Sequence, residues 1–157
     1  MKKLVLLSAS LFFLVSCGKK ENTTSDFSKP FQTENTVTEN TSYDPKKGEG
    51  KYDKVDLPAN LNKEMASLGE AVAGTKCTSC HKLSDEKLVG PGWKGVTERR
   101  TPEWIMNFIT NPDPMIDKDP ELQAQLEVCL VRMPNQSLTD DEARQILEFM
   151  RKNDGVK

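Results

Sequence analysis

Cys77-Thr78-Ser79-Cys80-His81 is the stretch on which the reading of this chain turns. Two thiols three residues apart, followed directly by an imidazole, form the attachment pattern of a c-type haem. The spacing has a chemical reason. The two thiols make thioethers to the two vinyl groups of one haem, and the adjacent imidazole reaches the iron from the same side. Covalent attachment also retains the cofactor in a small exported protein. Two other chemistries use closely spaced thiols. A zinc site needs four ligands, and only Cys129 or a carboxylate is left to complete one, because there is no second Cys-x-x-Cys. A redox dithiol wants a βαβ setting, and the sequence shows no convincing strand.

Working outward, the chain has 157 residues, room for one domain with accessory segments. Apolar residues make up 36% and charged residues 29%, and no second apolar stretch follows the N-terminus, which excludes a multi-pass membrane protein. A net charge of −2 gives no basic excess and speaks against a nucleic-acid partner. Four cysteines are too few for a disulfide scaffold. The single histidine, His81, rules out any centre that needs two histidines from one chain.

Residues 1–16 read as a signal peptide, with Lys2 and Lys3 before an apolar run that is too short to span a bilayer. The run ends Leu14-Val15-Ser16-Cys17-Gly18, which resembles the lipobox of bacterial lipoproteins. That resemblance implies cleavage before Cys17 and lipidation of Cys17, and hence a membrane anchor made of several acyl chains. Residues 17–58 are expected to be the lipidated cysteine and a flexible linker. The stretch 21–42 is rich in Thr, Asn, Ser and Glu without helical or strand periodicity, and a breaker cluster follows at Asp44-Pro45-Lys46-Lys47-Gly48. Tyr52, Val55 and Leu57 are the residues of this linker that carry apolar surface for packing on the domain.

Residues 59–157 carry helical signals. Leu61, Met65, Leu68 and Val72 predict one helix face, with Gly74 as its stop. Thr101-Pro102-Glu103 starts a second helix, which Asn111-Pro112-Asp113-Pro114 ends. Asp119-Pro120-Glu121 starts a third, with Leu122, Leu126, Cys129 and Leu130 behind it. Thr139 and Glu142 form a capping box for a fourth, whose stripe is Ala143, Ile146, Leu147 and Met150. The fold class is therefore all-α, with four helices.

With these motifs in hand, the C-terminal part resembles a class I cytochrome c domain, a small all-α fold around one covalently bound haem c. The resemblance implies thioethers at Cys77 and Cys80 and His81 as an axial iron ligand. It implies that Gly69, eight residues before Cys77, lets the last helix cross closely. It also implies that the carbonyl of Pro91, in Gly90-Pro91-Gly92-Trp93, accepts a hydrogen bond from His81; the other reading is a plain turn. The family often has an aromatic four residues before the first haem cysteine. Here that position is Ala73, and Phe149 is the candidate to supply the ring from the last helix.

Among six methionines, Met133-Pro134 lies in a loop before the last helix and resembles the family's ligand segment. Met133 is the expected sixth ligand, with Met115 the second candidate. Trp93 and Trp104 are expected in the haem pocket, and Phe108, Leu126, Leu130, Ile146 and Leu147 in the pocket or core. Cys129 reads as a buried, inert thiol.

Residues 76–100 hold six basic and three acidic side chains, and residues 101–157 hold six basic and eleven acidic. One reading is a solvated mixed surface. The other is a charge asymmetry that steers the attachment region toward an acidic docking surface on a redox partner. Together these expectations describe a membrane-tethered periplasmic monohaem cytochrome that exchanges single electrons with donor and acceptor proteins, between respiratory complexes and a reductase or oxidase. No enzyme activity, small-molecule substrate or nucleic acid is expected. Two alternatives stay open: a haem protein that binds a ligand at the iron, and a fixed haem subunit of an oxidoreductase complex.

Overall fold

The structure, a computed structural model, describes residues 43–157. The expected signal peptide at 1–16, the expected lipidation at Cys17 and the expected linker at 18–42 lie outside the described residues. Six helices follow in order: α1 (Lys63–Lys76), α2 (Val96–Arg99), α3 (Pro102–Thr110), α4 (Pro112–Lys118), α5 (Pro120–Cys129) and α6 (Asp140–Asn153). Among the described residues there is no strand.

Three helix starts form as their sequences dictate. The Thr101 side chain accepts from Trp104 N–H to open α3, and Asp119 accepts from Glu121 and Leu122 N–H to open α5. At α6 the Thr139 hydroxyl accepts from Glu142 N–H while the Glu142 carboxylate accepts from Thr139 N–H at 2.9 Å. Such caps contribute about 1 kcal/mol each. The α6 stripe is buried as expected, with Ala143, Ile146, Leu147 and Met150 in the core.

The face of α1 is a correction. Leu68 is 49% exposed, and the residues turned inward are Ala66, Gly69 and Ala73. The reason is the crossing with α6. A Cβ built on Gly69 would lie 2.0 Å from the Gln145 carbonyl oxygen. The two backbones touch, so only small side chains fit, and the larger Met65 and Val72 are displaced to the flanks. Gly74 does not end the helix, which runs on to Lys76.

Helix α4 is a second correction. Asn111 ends α3, and Pro112 then opens a further helix rather than a loop. Proline is well suited to a first helical position, where its missing N–H has no partner to lose. This turn buries Pro112, Met115 and Ile116.

The last part of the expected linker, which carries Tyr52, Val55 and Leu57, lies on the domain. Residues 43–57 lie along α3 and α4 as a strap. Asn107, fully buried, grips it three ways: its Oδ1 accepts from Tyr52 N–H at 2.9 Å, and its Nδ2 donates to the carbonyls of Lys47 (3.1 Å) and Tyr52 (3.0 Å). Glu103 accepts from Val55 N–H at 2.7 Å. Tyr43, Tyr52, Val55 and Leu57 pack against the core. The sequence marks Tyr52, Val55 and Leu57, while the polar contacts to the strap's backbone leave no mark in hydrophobic periodicity. Beyond it, the buried Glu148 pairs with Arg151, whose other nitrogen donates to the Pro58 carbonyl at 2.6 Å. This fastens the entry to α1 onto α6.

Candidate functional site

The segment after α1 folds back on itself. Cys80 and His81 N–H both donate to the Cys77 carbonyl at 3.0 Å, and Gly90 N–H donates to the Cys80 carbonyl at 2.9 Å. Trp93 N–H donates to the Lys82 carbonyl. These bonds bring the Pro91 carbonyl to 2.8 Å from His81 Nδ1. A carbonyl only accepts, so Nδ1 carries the proton and the lone pair of the ring resides on Nε2, the atom free to bind a metal. Gly90 lies against the imidazole, and a Cβ there would come within 2.4 Å of His81 Cε1. The ring is thus held by a directed hydrogen bond and by close packing. Pro91 has the position expected of it.

Cys77, Cys80, His81 and Met133 all line one cavity of about 660 Å³. Its walls include Trp93 and Trp104, both expected there, together with Ile105, Phe108, Ile146 and Met150. Met115 lines none of it and is buried under the strap instead. A second, smaller cavity shares His81 and Met133 and is walled by Ile116, Leu126 and Cys129. Cys129 is half-buried at this wall. Leu130 is a correction: it is not in the pocket or core but 83% exposed, at the left-handed C-cap of α5.

Trp93 links the two ends of the fold. Its ring lies 5.8 Å from His81 and meets Phe149 edge-on at 6.3 Å. Phe149 of α6 thus packs on the ring that lies beside His81. On the other wall, Trp104 stacks on Phe108 at 4.9 Å, carries the Arg100 guanidinium over its face at 4.2 Å, and donates from Nε1 to Asp119. Of the six basic residues in 76–100, Lys76, Arg99 and Arg100 put three cations on the cavity lining against one carboxylate, Glu121. Asp154, just past α6, holds the loop behind Trp93 by accepting from Gly95 and Thr97 N–H.

The donor set fits a haem. Cys77 and Cys80 are free thiols. Burial pushes the Cys77 thiol up to about 11, away from the range of a reactive thiolate. Among the described residues no three of His, Cys, Asp and Glu converge as a metal cluster. The cavity lies in the size range of sites that enclose a small organic ligand, about 300–1,000 Å³.

Comparison with known proteins agrees. The family profile named cytochrome c matches residues 66–154. The cytochrome c of Rhodothermus marinus is 35% identical and superposes with a TM-score of 0.64, over 67% of this chain and 90% of that one. An engineered form of the same Rhodothermus marinus protein gives 34% identity and a TM-score of 0.63 over the same shares. No curated protein matches the chain. The profile spans more than half of the chain, and its ends enclose the Cys-x-x-Cys-His motif, the cavity and the α1–α6 crossing. The chain therefore belongs to the cytochrome c family, electron-transfer proteins that carry a covalently attached haem c and work with redox protein partners.

Proposed function

We propose that this cytochrome is a lipid-anchored, periplasmic monohaem carrier that passes single electrons between respiratory complexes and a reductase or oxidase. The observation that carries this reading is the meeting of Cys77, Cys80, His81 and Met133 on one cavity. When bound, the haem supplies an iron that alternates between ferrous and ferric states, one electron at a time. Cys77 and Cys80 would hold it by thioethers, with His81 and Met133 as axial ligands. Pro91 fixes the orientation and tautomer of the imidazole. Trp93, Ile146 and Met150 exclude water, and Lys76, Arg99 and Arg100 would face the haem carboxylates. The lining offers no second histidine to act as acid or base on a peroxide, which favours a carrier over an enzyme.

Docking on an acidic partner would fall to fewer cations than the sequence count gives. Lys76, Lys82 and Arg100 are paired with Glu142, Glu86 and Glu121. Lys87, Lys94 and Arg99 have no ion-pair partner among the described residues, and they line one groove beside the cavity.

Met133→Ala tests the ligation. The ferric Met–iron charge-transfer band is expected to vanish and the midpoint potential to fall, since a thioether opposite histidine raises it. Met150→Leu is expected to leave both unchanged, although Met150 also lines the cavity. A band that survives Met133→Ala and disappears in Met150→Leu would transfer the role to α6.

For the anchor, the support is the Leu14-Val15-Ser16-Cys17 match and the polar composition of 18–42. Cys17→Ser is expected to move the protein from the membrane fraction to the soluble fraction after a high-salt wash. Retention on membranes would remove the lipoprotein reading and leave the cytochrome domain unaffected.

A further inference from the structure

Met133 lies in residues 130–139, a stretch without helical structure between α5 and α6. Its neighbour Arg132 reaches back to α4. Arg132 Nε donates to Asp113 Oδ1 at 2.7 Å, and Nη2 donates to Asp117 Oδ1 at 2.7 Å and to the Asp113 carbonyl at 3.1 Å. Asp113 and Asp117 are four residues apart on one face of α4 and make a two-pronged acceptor for one planar guanidinium. The adjacent side chain of α4, Ile116, walls the small cavity that also holds His81, Arg132 and Met133.

A seven-residue helix has almost no stability of its own, so what grips α4 sets its position. The strap grips it from another side. Gly48 packs on the Met115 side chain so closely that a Cβ would come within 2.3 Å of Met115 Cε. Glu49 pairs with Lys118, and the Tyr43 hydroxyl donates to Asp119 at 2.6 Å. The strap also reaches the far end of the methionine loop, where Tyr52 donates to Asp140 at 2.8 Å and Lys51 pairs with it.

We propose that Arg132, Asp113 and Asp117 are positioning residues that hold Met133 over the iron, and that the strap 43–57 supports this clamp through α4. The inference rests on the reading of Met133 as the sixth ligand. The segment that continues toward the tether would then be mechanically joined to axial ligation. A loop freed from α4 exposes the sixth position for a larger fraction of the time, and apparent affinity for an added ligand rises with that fraction.

The test is imidazole binding to the ferric holoprotein, followed by the loss of the Met–iron band, with the midpoint potential measured alongside. Arg132→Gln is expected to bind imidazole about tenfold more tightly than wild type, with a lowered potential and unchanged far-ultraviolet circular dichroism. Asp113→Asn/Asp117→Asn is expected to match it, and Arg132→Lys to recover part of the loss. Asn107→Ala, which loosens the strap, is expected to shift imidazole affinity in the same direction by a smaller factor. Wild-type affinity in both Arg132→Gln and the double aspartate variant would overturn the clamp, and wild-type affinity in Asn107→Ala alone would remove the strap from it. Met133→Ala separates this from the parent reading. If Met133→Ala binds imidazole no better than wild type, Met133 is not the ligand and the clamp has nothing to position.

Discussion

Replacing Cys77 and Cys80 together by alanine is expected to yield a chain with no covalently bound haem and no native tertiary structure. The cavity these residues line measures about 660 Å³ and runs through the core, touching Trp93, Trp104, Ile105, Ile146 and Met150. Without the haem these apolar walls would lose the group they pack against and face water, and a small domain has only about 5–15 kcal/mol of stability to lose. The double variant should fail to stain for haem on a denaturing gel, and its near-ultraviolet circular dichroism should be flat at 25 °C. Either single variant should retain the haem through the remaining thioether and melt at a lower temperature. A well-structured, haem-free double variant would show that α1 and α6 assemble the core without the cofactor.

The second large effect belongs to a residue that touches no ligand. Gly69→Val is expected to destabilise the holoprotein by about 3 kcal/mol or more. The added Cβ meets the Gln145 carbonyl oxygen at 2.0 Å, its carbon at 2.4 Å and Ile146 N at 2.9 Å. All three are backbone atoms of a helix and have no rotamer by which to move away. The helices must separate, and with them Ala66, Ala73 and Ala143 lose their contacts. For a domain of this size the midpoint of thermal unfolding should fall by roughly 10–15 °C. Gly74→Ala is the control within the same helix. A Cβ there meets nothing within 4 Å, and exchanging a helical glycine for alanine should be neutral or stabilising by up to about 1 kcal/mol. Equal melting temperatures in Gly69→Val and Gly74→Ala would mean that the crossing is not as tight as its geometry.

What was readable in advance follows a physical line. Helix starts are local: Thr101, Asp119 and Thr139 cap N–H groups two or three residues away, so type and spacing suffice. The α6 stripe was readable because that helix buries large side chains. The α1 face was not, because a crossing tight enough to need glycine and alanine hides its contact face from any hydrophobic count. The start of α4 was visible as Pro112, yet the same residue reads as the stop of α3 unless the next turn is known to be buried.

The covalent chemistry was set by the sequence alone. Cys77, Cys80 and His81 are neighbours in the chain, so their convergence needs only a local turn, and the single histidine removes every rival for that side of the iron. For the other side the sequence names a candidate, Met133, and the tertiary structure brings it to the same cavity. Met133 reaches the cavity from 52 residues beyond His81, on a stretch without helical structure whose position depends on Arg132 bonding to α4 and on a strap the composition assigns to a linker. Chain neighbours meet through short-range geometry that residue type and spacing encode. Groups far apart in sequence meet only where packing brings their elements together: the Met133-Pro134 pattern marks a candidate, and the tertiary contacts carry it to the cavity.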